Sequence, residues 1–297
     1  MTIDYCTLRN WRQPPIERTY SERDTILYAL GLGLGSDPLD EQQLRFVYEK
    51  DLLALPTMAG VLGYPGFWLR EPALGVDWVK VVHGGQAMTL HRPLPAAGTV
   101  VGVNRVVAVV DKGAGRGALV ITERTLTDKS SGELLATLLH TAFCRGDGGF
   151  GAYGHPGDPA PPPPPSVPVT QPDAVLDFVT RPESALIYRL SGDWAQLHAD
   201  PALARAAGYP RPILHGMATF GIAGYAILKA CCTYDPSRLC SIAGRFSSPV
   251  FPGETIRTEM WFASPGSPAG SVQFRARVVE RGVVVLDNGS AEVAERV

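Results

Sequence analysis

MATFGIAGYAILKACC, Met217 to Cys232, decides the fold. Met217, Phe220, Ile222, Ala223, Ala226, Ile227 and Ala230 leave almost no polar face, the pattern of a helix surrounded by protein on nearly all sides. Extended back to Ile213, the stretch contains His215, Lys229 and several glycines, so it falls short of the ~20 clean apolar residues of a membrane span. A buried helix needs a wrapping sheet. Alternating or β-branched runs at 100–110, 119–127, 134–144, 238–246, 256–263, 272–280 and 283–291 supply it, most of them joined by short Gly-containing turns such as DKGAGRG and ERG. The expected class is α+β, with antiparallel strands curled around one helix.

Between the strand runs lies RGDGGFGAYGHPGDPAPPPPPSVPVTQPD, residues 145–173, where five consecutive prolines, Pro161 to Pro165, impose extended polyproline geometry. This linker, taken as 146–173, separates an N-terminal unit, 1–145, from a C-terminal unit, 174–297, in line with the ~150 residues usual for a domain. The units carry faint traces of one plan. His83-Gly84 precedes the turn proline Pro95 by 12 residues, and His215-Gly216 precedes Pro252 by 37, counted from each histidine. A duplication with about 25 extra residues in the second unit accounts for both, the extra residues being the buried helix. The first unit, lacking that helix, is expected to leave room for an apolar ligand chain.

Composition narrows the function. Of 297 residues 45% are hydrophobic and 19% charged, and the 27 Lys+Arg against 29 Asp+Glu give a formal charge of −2, which argues against disorder and against a phosphate-coating basic surface. Nucleic acid and membrane are not expected partners. Five cysteines, Cys6, Cys144, Cys231, Cys232 and Cys240, lack zinc-site spacing and read as reduced, and the start MTIDYCTLRNWRQPP has no secretory apolar core, so a cytoplasmic location is expected. Cys231-Cys232 is expected to pack in the core. GLGLG at 31–35 follows a helical segment rather than a strand, so it reads as a helix stop and not a dinucleotide fingerprint.

The chemistry concentrates in YRLSGDWAQLHADPALARAAGYPRPILHGMATF, Tyr188 to Phe220. Asp200, Pro201 and Gly208 are the cap, first-turn proline and terminal glycine of a short helix over 201–207. Asp193 and His198 therefore sit on the loop leading into it. On a helix they would diverge by ~140°, whereas a loop can turn both to one point. A carboxylate and an imidazole so placed can hold and activate a water. Gly216, at the N-terminus of the buried helix, presents unpaired amides suited to a thioester carbonyl that becomes enolate-like. Glu49 is a candidate acid that helps order the site.

At these residues the chain resembles the MaoC-like, hydratase 2 family of hot dog fold enzymes. The carriers are YSERDTILYALGLG at 20–33, FVYE at 46–49, LPTMAGVLG at 55–63, VVHGGQAMTLHRPLP at 81–95, YRLSGDWAQLHADP at 188–201 and PILHGMATFG at 212–221, in the family's order. The resemblance implies a double hot dog fold whose central helix is complete only in the C-terminal half. It also implies (R)-specific hydration of trans-2-enoyl-CoA to (3R)-3-hydroxyacyl-CoA, with the reverse dehydration. Asp193 and His198 would activate water, and the His215-Gly216 backbone would form the oxyanion hole. No metal or redox cofactor is implied, coenzyme A being part of the substrate, and the expected assembly is a homodimer.

There is one departure. The family signature resembles SGDxNPLH, whereas this chain reads SGDWAQLH, with Ala195 for the Asn and Gln196 for the Pro. Gln196 is expected either to return an amide to the same space or to leave one water contact missing. The alternatives implied are a dehydratase for a specialised acyl thioester and a weakened acyl-CoA-binding homologue.

Overall fold

The computed structural model describes residues 3–264 and 267–295; Met1, Thr2, Arg296 and Val297, at the outer ends of the two sequence units named above, and Pro265 and Gly266, inside the second, lie outside the described residues. Ten strands form one antiparallel sheet: β1 (Ile16–Tyr20), β2 (Val81–Leu90), β3 (Gly98–Asp111), β4 (Ala118–Asp128), β5 (Leu134–Cys144), β6 (Ala174–Val179), β7 (Leu239–Phe246), β8 (Thr255–Ser264), β9 (Ser267–Val278) and β10 (Val283–Val293). The seven strands expected from the sequence are present with ends shifted by up to five residues. Strands β1, β2 and β6 were not foreseen: β1 and β6 are only five and six residues long, and β2 carries His83, Gly84 and Gly85, which weaken its β signal.

The strand order β1-β3-β4-β5-β2-β7-β10-β9-β8-β6 is a palindrome of topology. Each half contributes five strands in the same relative order, and the halves meet where β2 pairs with β7, from Gly85 opposite Arg245 to Thr89 opposite Ser241. This arrangement corrects the expected repeat alignment. His83 and Gly84 lie inside β2, whose counterpart is β7, so they do not correspond to His215 and Gly216. Nor is there a 25-residue insert, because the segments joining β1 to β2 (21–80) and β6 to β7 (180–238) hold 60 and 59 residues. The first half lacks a long central helix because its segment is punctuated by Pro56, Gly60, Gly63, Pro65, Gly66, Pro72 and Gly75. It forms four 3-10 turns instead, over Pro56–Gly60, Trp68–Arg70, Pro72–Leu74 and Trp78–Lys80.

Among the described residues six α-helices accompany the sheet: α1 (Tyr5–Arg9), α2 (Glu22–Gly31), α3 (Glu41–Leu44), α4 (Ser184–Tyr188), α5 (Pro201–Ala206) and α6 (Gly216–Ala230). The buried helix read from the sequence is α6, in which every residue from Ala218 to Leu228 is buried. Its glycines let neighbours approach closely. A Cβ at Gly221 would stand 2.7 Å from Leu32, and one at Gly224 would stand 2.5 Å from Thr57 of the Pro56–Gly60 turn. Side chains of both halves thus converge on α6 in one continuous apolar cluster.

A second apolar cluster, including Val106, Val109, Val120, Ala142 and Phe150, lies towards the other end of β3–β5. The proline-rich segment runs along the sheet: Asp158 accepts from the Val109 amide at 2.8 Å, and Trp261 Nε1 donates to the Thr170 carbonyl at 3.0 Å. Cys231 and Cys232 are buried in the α6 cluster, as expected for packing residues. Gly31 ends α2, and Gly33 and Gly35 follow it, with Leu34 N donating to Ala29 O as the helix stops.

Candidate active site

Asp200 caps α5, accepting from the amides of Ala202 (2.7 Å) and Leu203 (3.3 Å), and Gly208 follows the helix at φ +88°, a conformation that L side chains rarely adopt. The loop before this helix bends as expected. A 3-10 turn over Gln196–His198 brings His198 round towards Asp193, and His215, which caps α6, joins them. One oxygen or nitrogen from each of Asp193, His198 and His215 falls within 4.8 Å of the others.

Hydrogen bonds fix both tautomers. His198 Nδ1 lies 2.8 Å from the Ile213 carbonyl, which can only accept, so the proton is on Nδ1 and Nε2 carries the lone pair. His215 Nε2 donates in the same way to the Asp193 carbonyl at 3.2 Å, leaving Nδ1 as a buried acceptor with no partner among the described residues. Burial lowers the pKa of His198, against the opposing Ile213 hydrogen bond and Asp193 charge, and burial together with the neighbouring His198 lowers that of His215 further. Both rings are therefore neutral at physiological pH, and His198 is poised as a base.

Asp193 Oδ1 accepts from Ala195 N at 3.1 Å, which holds the carboxylate to its own loop. Arg189 steadies that loop from outside, its guanidinium 4.8 Å from the Trp194 ring centroid. At the start of α6, the amides of Ala218 and Thr219 both reach the His215 carbonyl. The amides of Gly216 and Met217 precede the first intrahelical bond and have no backbone acceptor among the described residues. They sit beside His215, one residue from the histidine pair.

The other candidates are placed differently. Glu49 is exposed beyond α3 and has no side-chain hydrogen bond among the described residues; it is not in the Asp193 cluster. Ala195 is exposed, and Gln196 is exposed with no side-chain hydrogen bond among the described residues. Although Asp193, His198 and His215 are a possible ligand set, the two imidazoles stack 3.7 Å apart at 25°. Their in-plane lone pairs run in nearly parallel sheets, a poor fit to one ion at about 2.1 Å from both nitrogens.

Residues 163–285 match the family described as MaoC like domain, and residues 19–146 match the MFE-2 hydratase 2 N-terminal domain. Enoyl-CoA hydratase 2, peroxisomal, from Arabidopsis thaliana is 39% identical over 285 residues, covering 92% of this chain and 90% of that one. The 3-hydroxyacyl-thioester dehydratase Y of Mycobacterium tuberculosis is 40% identical over 283 residues, covering 94% of each. The chain belongs to the MaoC-like, hydratase 2 family. Among solved structures, a MaoC-like dehydratase from Phytophthora capsici is 34% identical with a TM-score of 0.84, covering 99% of this chain and 100% of that one. A Mycobacterium tuberculosis protein described as a double hot dog fold, 18% identical with a TM-score of 0.55 and covering 96% of this chain and 94% of that one, shows the likeness of fold alone. The double hot dog expectation is borne out.

In this MaoC-like chain the first half also reaches the site. Tyr64 is 38% exposed as a residue, but desolvation of its phenol and the charge of Asp193 raise the phenol pKa to about 12, and the Arg124 guanidinium lies 5.8 Å from the Tyr64 ring centroid. Phe246 would touch a Cβ at Gly216 at 3.3 Å, and His83 packs against Phe246, ring centroids 4.4 Å apart. Sequence reasoning missed Tyr64, Arg124 and His83. For Arg124 a signal existed: the period-two alternation of β4 puts it on one face with Leu126 and Val120.

Proposed function

We propose that this chain hydrates trans-2-enoyl-CoA to (3R)-3-hydroxyacyl-CoA, and dehydrates the product in reverse, with His198 as base, Asp193 as its partner in holding water, and the amides of Gly216 and Met217 as the oxyanion hole. The chain is a hydro-lyase of the enoyl-CoA hydratase and dehydratase class, as its relatives are. The observation that carries the residue assignment is the convergence of the Asp193, His198 and His215 acceptors beside two free helix N-terminal amides.

In this mechanism the thioester oxygen accepts from those amides, which draws electron density away from C3. His198 Nε2 takes a proton from a water that also donates to the Asp193 carboxylate, and the water oxygen bonds C3 while the C2–C3 π pair moves towards the carbonyl. The imidazolium then returns its proton to C2, so the site ends as it began. His215 keeps the Asp193 backbone in place through its Nε2 and lines the site as a neutral ring.

We assign residues 1–145 to accommodating the acyl and CoA portions, 146–173 to a linker and 174–297 to catalysis. Five free cysteines, three of them buried, support a reducing cytoplasmic setting, and no helix among the described residues is long and apolar enough to cross a membrane. The working assembly is a homodimer, supported by a patch of exposed Phe67, Trp78 and Val79. The reading requires no cofactor beyond the coenzyme A of the substrate. Loss of the conjugated enoyl-thioester absorbance on adding crotonyl-CoA, decenoyl-CoA or a branched enoyl-CoA tests it: steady loss supports hydration, and a silent spectrum with all three overturns it.

A further inference from the structure

One buried cation in the first half has no acid to balance it. Arg124, on the inner face of β4, is only 8% exposed and forms no salt bridge among the described residues, whereas the buried acids Glu254 and Glu259 are paired with Arg281 and Arg275. Its Nη2 donates to the carbonyls of Gly60 (2.7 Å) and Ala59 (3.4 Å), closing the Pro56–Gly60 turn, and its Nε is buried with no partner. Capping a turn uses one of three nitrogens. A desolvated guanidinium with an idle donor is costly, and burial lowers its pKa only to about 10, so it stays charged at neutral pH.

The neighbourhood belongs to the reaction site. Gly60, which Arg124 holds, lies against Met217, whose Cε would stand 2.6 Å from a Cβ there; Met217 follows Gly216 directly. His140, two residues along from the position opposite Arg124, packs against His83 with ring centroids 4.2 Å apart and planes tilted by 42°, and His83 leads through Phe246 back to Gly216. The inner face of β4 and β5 therefore places polar groups between its two apolar clusters, on the face that reaches Gly216 through Gly60 and Met217. A purely hydrocarbon chain gives the idle Nε nothing to bond.

Resting on the hydratase reading above, we propose that Arg124, with the Tyr64 ring 5.8 Å from its guanidinium, reads a carboxylate carried on the acyl group, so that the preferred substrates are enoyl-CoA thioesters ending in an acid. A carboxylate supplies the missing counter-charge and matches the planar fork of the guanidinium. No other acid in the described residues does so.

The test is a pairwise series of trans-2-enoyl-CoA substrates of four to eight acyl carbons, each methyl-terminated compound set against the ω-carboxy compound of equal length. With wild-type enzyme, at least one acid should be preferred in kcat/KM by ~10-fold or more. In Arg124→Met that ratio should fall by at least ~10-fold, and in Arg124→Lys, which keeps the charge but not the fork, by less. The wild-type ratio needs no variant to fold. Methyl-terminated substrates preferred at every length would overturn the proposal. So would variants in which both members of each pair fall in parallel, since Arg124 would then be holding the CoA portion or only the turn. A wild-type enzyme that hydrates no enoyl-CoA would overturn the hydratase reading itself.

Discussion

The imidazoles of His198 and His215 stack with centroids 3.7 Å apart and 25° between their planes, each donating its one proton to a backbone carbonyl. Two cations could not share that geometry, so the pair works as neutral rings. The base is therefore active in its unprotonated form, and its pKa is lowered from the usual 6.5 chiefly by burial. The acid limb of the kcat/KM profile should have its midpoint below 6.5, with a plateau through neutrality. A limb centred above 6.5 would show that another group titrates.

Direct loss of either partner should be severe in rate and mild in stability. Asp193→Asn and His198→Gln should each lower kcat/KM by ~10²-fold or more, because each removes a group that handles the water in the transition state. Asp193 and His198 are both only partly buried, so melting temperatures should move by a few degrees at most. Turnover retained in both variants would remove the pair from the mechanism.

Acid should unfold this protein through its histidines. His83, His140, His198 and His215 all have pKa values lowered mainly by burial, His140 to about 4. Between its folded and unfolded pKa each such histidine binds more protons unfolded than folded, so stability rises with pH there. It is fully present above ~6.5 and is lost as pH falls below, by at most about 1.4 kcal/mol per pH unit per group. Urea midpoints at pH 7, 6 and 5 should fall steadily, and His140→Gln should flatten the fall. A midpoint unchanged from pH 7 to 5 would contradict the burial of these rings.

Two glycines of α6 separate packing from chemistry. Gly224→Ala would place a methyl 2.5 Å from Thr57 Cγ2, an overpacking cost of ~1–3 kcal/mol that outweighs the ~1 kcal/mol helix gain. At Gly216 the methyl would meet the Phe246 ring at 3.3 Å, tight but relieved by a few tenths of an ångström. That small shift falls on the helix N-terminus, so Gly216→Ala should lower kcat/KM by ~10-fold with the smaller loss of stability. Parallel thermal melts and rates distinguish the two, and equal rate losses would deny Gly216 its place.

The sequence makes α6 and most strands legible, since an all-round apolar helix and period-two runs need no tertiary knowledge. It also makes the Asp193–His198 loop legible, because the Asp200 cap and Pro201 fix where α5 must begin. What misled was a local string. His83-Gly84 and His215-Gly216 look alike, yet one lies in a strand and the other starts a helix, and only the strand order around β2 and β7 shows this. Arg124 was obscured for another reason: its burial depends on the Pro56–Gly60 turn, 64 residues away in sequence, closing over it.

The loop departure at Ala195 gives the last prediction. Gln196 is exposed and bonds nothing among the described residues, while Ala195 N is engaged with Asp193 Oδ1, so the side-chain amide implied by the family signature has no counterpart at this loop in the free protein. Ala195→Asn with Gln196→Pro restores both an amide and a stiff loop, and should raise kcat on one enoyl-CoA by ~10-fold if that water contact limits the rate, a single such bond contributing ~1–3 kcal/mol. If Gln196 swings in when substrate binds, the outcome reverses. Gln196→Ala then costs ~10-fold or more, and Ala195→Asn alone changes little. Rates for wild type, both single variants and the double variant decide between the two, and four equal rates would mean that water is held by Asp193 and His198 without any amide.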